Sequence, residues 1–208
     1  MKKLIFIGLA IAAITTAAQN FEGIITYRNS YKSKLPKLSD EQFTTMMGSK
    51  QEFYIKEGNY KSILNGTFEQ WQLYSGKENK LYTKLSNSDT ISWKDGSQND
   101  DSVFEVQHHK SVVEILGYSC DELIFTCKSG IQKYYFNTAL RVNASLYSNL
   151  KYGNWYDFIK RSNALPLKII LESNQFVMES VATEIKPLKV DDKEFELPKN
   201  AKTKKRLY

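Results

Sequence analysis

The run Asp121-Glu122-Leu123-Ile124-Phe125-Thr126-Cys127-Lys128-Ser129-Gly130-Ile131-Gln132-Lys133-Tyr134-Tyr135-Phe136 reads as two strands joined by a turn. Lys128-Ser129-Gly130 supplies hairpin chemistry, with a glycine where the chain must reverse. The flanking segments are rich in aliphatic and aromatic residues, which suit a pleated surface. Neither strand alternates strictly. Tyr134 and Phe136 share one face, and Ile131 and Tyr135 share the other. The later run Pro166-Leu167-Lys168-Ile169-Ile170-Leu171-Glu172 behaves alike, with Leu167, Ile169 and Leu171 opposed by Ile170. A sheet solvated on one side alternates more cleanly. Here one face is expected to pack on helices while the other lines something else. A mainly β fold meets that need: a curved antiparallel sheet, or incomplete β-barrel, with a few short helices covering its concave face.

The rest of the chain is punctuated in the same style. Phe21–Asn29 alternates, with Phe21, Gly23, Ile25 and Tyr27 on one side. Ser39-Asp40-Glu41-Gln42 fits a capping box, and Phe43, Met46 and Met47 follow at helical spacing up to Gly48. Turns at Glu57-Gly58, 75–78 and Ser173-Asn174 separate further strands. Residues 95–102 are the most polar segment and read as a mobile loop. Residues 137–165 read as irregular or helical, with Asn154–Arg161 as a short helix. Phe195-Glu196-Leu197-Pro198 is expected to close the domain as its last strand.

At the N-terminus, Lys2 and Lys3 precede the apolar run Leu4–Ile14, and Thr16-Ala17-Ala18 supplies small residues. That pattern is a secretory signal peptide, with cleavage before Gln19. The run is too short to span a bilayer, which takes ~20 apolar residues. The expected organisation is therefore a signal peptide over 1–18, one half-barrel domain over 19–198 and a basic tail over 199–208. The location expected is the periplasm or outer envelope. Removing Lys2 and Lys3 from the 29 basic residues, against 23 acidic ones, leaves 27 − 23 = +4. Lys199, Lys202, Lys204, Lys205 and Arg206 carry five of these charges at the tail. Such a tail is expected to fray, or to touch an anionic membrane surface weakly. An exported chain has no nucleic-acid partner to explain it.

Catalytic patterns are missing. His108 and His109 are the only histidines, and neighbours on a strand point to opposite faces. No paired-cysteine motif, nucleophile elbow or phosphate-cradling glycine loop accompanies them. No enzyme, cofactor or metal is expected. Cys120 and Cys127 sit at the two ends of one strand. Seven steps of ~3.3 Å separate them by roughly 23 Å, and a disulfide needs ~7 Å or less between Cα atoms. Two free thiols are expected.

Four short motifs occur in order along the chain. They are Gln19-Asn20-Phe21-Glu22-Gly23-Ile24-Ile25-Thr26-Tyr27, Glu114-Ile115-Leu116-Gly117-Tyr118-Ser119-Cys120, Leu165-Pro166-Leu167-Lys168-Ile169, and Ala182-Thr183-Glu184-Ile185-Lys186 with Phe195-Glu196-Leu197-Pro198. Together they resemble exported bacterial proteins of unknown function, the GLPGLI group, and relatives of lipoprotein-sorting carriers. The resemblance implies a half-barrel whose concave face binds acyl chains. Phe43, Met46, Met47, Phe53, Trp71, Trp93, Phe125, Tyr135 and Met178 are the candidate cavity lining under that reading, with the Ser39–Met47 helix as a movable lid. Each buried methylene would contribute ~0.8 kcal/mol. The expected function is binding of a lipid-like or other apolar ligand in a cavity between sheet and helices. The alternative is an envelope-associated structural or interaction protein that engages another envelope protein and holds no small molecule.

Overall fold

A computed structural model describes residues 20–206. The signal-peptide reading lies outside the described residues. Twelve strands form one sheet in the order β12-β6-β5-β4-β3-β2-β1-β11-β10-β9-β8-β7. The first six are β1 (Gly23–Ser33), β2 (Lys50–Lys56), β3 (Asn59–Leu64), β4 (Glu69–Ser75), β5 (Lys80–Leu85) and β6 (Ile91–Asp95). They form an antiparallel meander running away from β1. The next five are β7 (Val103–Ile115), β8 (Tyr118–Cys127), β9 (Gly130–Arg141), β10 (Ala164–Ser173) and β11 (Phe176–Pro187). They form a second meander, which returns to pair β11 with β1.

The link between the two meanders forces the sheet to curl. β6 and β7 stand ten strand positions apart, about 48 Å across a flat sheet at ~4.8 Å per strand. The chain covers Asp95 to Val103 in eight steps, at most about 28 Å at ~3.5 Å each. Only a sheet bent into an open C brings its two sides that close. The result is the curved, unclosed antiparallel sheet expected from the sequence.

Two helices stand on the concave side. α1 (Asp40–Met47) has the capping box read from the sequence: Gln42 N donates to Ser39 Oγ, and Ser39 N donates to Gln42 Oε1. α2 (Trp155–Ser162) follows short 3-10 turns at Ala144–Tyr147 and Tyr152–Asn154. Phe158 and Ile159 of α2, with Tyr147 and Leu150, fill the concave side against Ile25, Phe53, Ile55, Tyr60, Tyr74, Leu81, Phe125 and Tyr134. Apolar burial of this kind is the main stabilising term.

Two segments differ from the sequence reading, and a third, residues 103–111, is one that it does not assign. Residues 103–111 belong to β7, a strand of 13 residues at the edge of the sheet. Its side chains are mostly exposed, so its composition is that of a solvated loop while its backbone pairs with β8. Residues 192–195 form a 3-10 turn, and the last strand is β12 (Thr203–Lys205), parallel to β6. The basic tail is thus held by the backbone as far as Arg206, whose N–H donates to the Trp93 carbonyl at 2.7 Å. The 95–102 loop is pinned, as described below. Cys120 and Cys127 are separate buried thiols.

Candidate functional site

The strand registers assign each side chain to a face, because directly paired residues share one. Ile55, Tyr60, Tyr74 and Leu81 form one apolar row on the concave face. The next row across β3, β4, β5 and β6 is Ser62, Gln72, Thr83 and Ser92. The concave surface therefore turns from apolar to hydrogen-bonding within two residues along each strand. The same strands carry Trp71, Leu73, Tyr82, Ile91 and Trp93 on their outward face. Phe195, Leu197 and Ala201, from the segment after β11, cover that outward apolar patch. Lys56–Asp192 at 2.7 Å and Lys61–Glu194 at 3.0 Å fasten the covering segment at its start. The outward cover is what frees the inner side of β4–β6 to be polar.

Beside the polar row, several groups are incompletely matched. Asn29 and Ser180 face one another across β1 and β11. Both are buried, and Asn29 Oδ1 and Ser180 Oγ have no hydrogen-bond partner among the described residues. The Trp155 indole lies against Phe53 and Tyr60, and its Nε1–H also lacks an acceptor among the described residues. Buried polar groups are nearly always satisfied, so three on one side of a sheet is a concentration. Glu69 sits on the same side by its pairing with Leu85. Burial lifts its carboxyl above the ordinary range, and the charges of Lys94 and Arg206 pull it back only in part.

α1 closes the far end of this surface. Phe43 is its only buried residue. The ring packs on Tyr31 and Phe176 at centroid distances of 5.4 and 5.0 Å. Asn29 Nδ2 reaches the carbonyl of Gly48, the C-cap of α1, at 3.5 Å. An adjoining groove of about 420 Å³ includes Gln132, Leu171 and Phe176 in its lining. Leu171 pairs with Met178, which pairs in turn with Tyr31.

The nine residues expected to line a cavity are not brought together. Phe53 and Phe125 are buried in the packed concave core. Met178 lies on the concave face between Tyr31 and Leu171, and Phe43 lies nearby. Met47 is half-buried and Met46 is exposed. Trp71 and Trp93 are on the outward face beneath the C-terminal cover. Tyr135 is also outward, paired with Glu122 and Lys168. The alternation of β4 and β6 carried no signal for this, because Trp71-Gln72-Leu73-Tyr74 is apolar in both phases.

A second cluster surrounds Asp101. Ser129 N and Oγ donate to its two oxygens at 2.8 Å, and Gln132 Nε2 donates at 2.8 Å. Asn154, almost fully buried, places Nδ2 near Asp101 Oδ2, Gln132 Oε1 and Cys127 Sγ at 3.2–3.4 Å. Asn99 Nδ2 donates to Asn154 Oδ1 at 2.7 Å. These bonds pin the 95–102 segment across the open side of the sheet. Burial pushes the Cys127 thiol up to about 11, so it stays protonated.

His108 lies 3.4 Å from Asp121 and His109 2.8 Å from Glu122. The two pairs occupy opposite faces of the edge strand, and the histidines are exposed. No protein-family model matches the chain, and no curated protein matches it significantly.

Proposed function

We propose that this chain is an exported, non-enzymatic binding protein for a lipid-like, amphipathic ligand. The ligand would sit on the concave side, between the sheet and the two helices. The observation that supports this most directly is the set of atoms on the concave side that lack a partner among the described residues, Asn29 Oδ1, Ser180 Oγ and Trp155 Nε1; Ser180 stands four residues along β11 from Phe176 of the groove. Each such atom costs about 1–3 kcal/mol when left unmatched. A ligand with a polar group at one end would supply their bonds, and its apolar part would follow the groove. Access requires α1 to move. That helix buries one side chain, Phe43, and is otherwise tied by a few hydrogen bonds, among them Thr67 N to Thr45 O and Phe68 N to Met46 O at 3.0 Å. It is therefore the element of the concave side with the least apolar burial to lose on moving. The resemblance of the chain to half-barrel carriers agrees with this reading, as does the signal-like sequence over 1–18. The exposed basic residues 199–206 would add weak attraction to an anionic membrane surface.

Native mass spectrometry of the protein purified from its own envelope, followed by organic extraction, tests this. A stoichiometric lipid or acylated molecule that leaves on denaturation is expected. A clean protein mass that added fatty acids and phospholipids leave unchanged would overturn it.

The reading as an envelope interaction protein has its own support at one end of the edge strand. Val112, Val113 and Leu116 are exposed together around the β7–β8 turn. An apolar tip of this sort suits a protein partner. Crosslinking from Val113 in intact envelopes to one defined protein would favour that reading.

A further inference from the structure

A cleft of about 370 Å³ lies between the β6–β7 link, the start of β7 and α2. Its size falls at the low end of the ~300–1,000 Å³ usual for small-molecule sites. It is separate from the concave groove: the two linings share no residue. We propose that this cleft binds a neutral carbohydrate.

Four features carry the proposal. The floor is rigid, because Asp101, Asn99 and Asn154 are locked into the network of hydrogen bonds described above. Asn154 holds a left-handed backbone, with φ at 61° directly after Gly153 at 64°. Asparagine tolerates that region, and here the turn aims its amide at Asp101 and Gln132. The wall is Asp157 and Arg161, one helical turn apart on α2. Among the described residues Arg161 makes no ion pair within 4 Å, so its planar donor fork is uncommitted. The lip is Phe104, 70% exposed and the most exposed large apolar residue of those described. It lies where the β7–β8 register slips between Val103 and Glu105. A bulge at such a point turns a side chain out of the strand's normal alternation.

The chemistry of these groups selects the ligand class. A sugar ring presents adjacent hydroxyls that both donate and accept, and a face of C–H bonds. Carboxylate and guanidinium groups match paired hydroxyls in two-point contacts. Asp157, Glu105 and Arg161 are the lining groups available to make them, since Asp101 and Asn154 are committed to the floor. An exposed aromatic ring covers the C–H face. A phosphorylated ligand is disfavoured, since Asp101, Glu105 and Asp157 outnumber Arg161. A bare metal ion is disfavoured because, among the described residues, no three carboxylate, histidine or cysteine groups converge to hold one. An acyl chain gains little on a surface of this polarity.

The test is calorimetry and saturation-transfer NMR with neutral oligosaccharides built from glucose, galactose, mannose and N-acetylglucosamine. At least one is expected to bind. Phe104→Ala and Arg161→Ala should each weaken it about tenfold or more, and Phe104→Tyr should keep it. Phe104 and Arg161 are exposed, so an unchanged thermal melt shows that the variants remain folded. No binding by any probe up to about 10 mM would overturn the proposal. Binding that Phe104→Ala and Arg161→Ala leave intact would overturn it equally.

Discussion

Asn29 and Ser180 stand directly opposite each other on the adjacent strands β1 and β11, both buried, each with an oxygen that no other described residue satisfies. The pair is a local cost in the middle of an otherwise packed face. Removing the Ser180 hydroxyl removes an unmatched group and almost no volume. Ser180→Ala is therefore expected to stabilise the protein by about 1 kcal/mol, a rise in melting temperature of ~2–4 °C for a chain of this length. The same variant should lose part of any ligand that copurifies with the native protein. A gain in stability with a loss of ligand is the mark of a site maintained against folding. Calorimetry showing a fall of 1 kcal/mol or so would mean that the hydroxyl is matched after all.

Glu69 gives the concave surface a pH dependence. Burial raises its carboxyl above the ordinary value of 4.5, with Lys94 and Arg206 opposing. The folded protein thus holds this proton more tightly than the unfolded chain does. The stabilising contribution is fully present below the ordinary value and is lost as pH rises through the folded one. At neutral pH the ionised group carries the cost. Glu69→Gln should raise the melting temperature slightly at pH 7, with the difference vanishing on acidification below about pH 4. Equal effects at both pH values would show that the charge is not the cause.

Gly130 closes the β8–β9 hairpin with φ at 139°. A Cβ there would run into the backbone carbonyl of Glu172 on β10, and a strand carbonyl has no room to retreat. Gly130→Ala is expected to destabilise by more than about 1 kcal/mol, measured by urea unfolding with an unchanged slope. A neutral result would require β10 to shift away from β9.

The sequence announced the parts of this fold that depend on local chemistry. The Ser39–Gln42 capping box, the stop at Gly48 and the Lys128-Ser129-Gly130 turn all form from residues within a few positions of each other. The parts it hid depend on distant partners. β7 reads Glu105-Val106-Gln107-His108-His109-Lys110, which is loop composition, and it is a strand because β8 offers its backbone. The phase of β4 is undetermined by Trp71-Gln72-Leu73-Tyr74 alone, since either alternate set could be buried. What sets it is a segment more than a hundred residues later, carrying Phe195 and Leu197. The candidate site suffers most from this. A cavity lining chosen by aromatic content mixes Phe53 and Phe125 on the inner face with Trp71, Trp93 and Tyr135 on the outer. Phe104 gave no signal, because a register slip cannot be seen without the pairing.

The covering segment itself makes the sharpest stability prediction, because it separates apolar burial from ion pairing. Its fastenings are exposed: the Asp192 side chain is 82% accessible and that of Glu194 is 42% accessible. Surface pairs of this kind contribute little. Asp192→Ala and Glu194→Ala should each cost under about 1 kcal/mol. The apolar contacts matter more. Ending the chain after Lys189 would bare Leu73, Tyr82 and Ile91, all buried in the intact protein, together with Trp71 and Trp93. Two of the three tryptophans would become wet, so the emission maximum should move to longer wavelength and a hydrophobic dye should bind. The β6 edge would lose β12 and become free to pair with another chain, so the truncated protein should also self-associate as concentration rises. If truncation left the tryptophan emission unchanged, the outward patch would not depend on this cover. The polar inner row Ser62–Gln72–Thr83–Ser92 would then need another explanation.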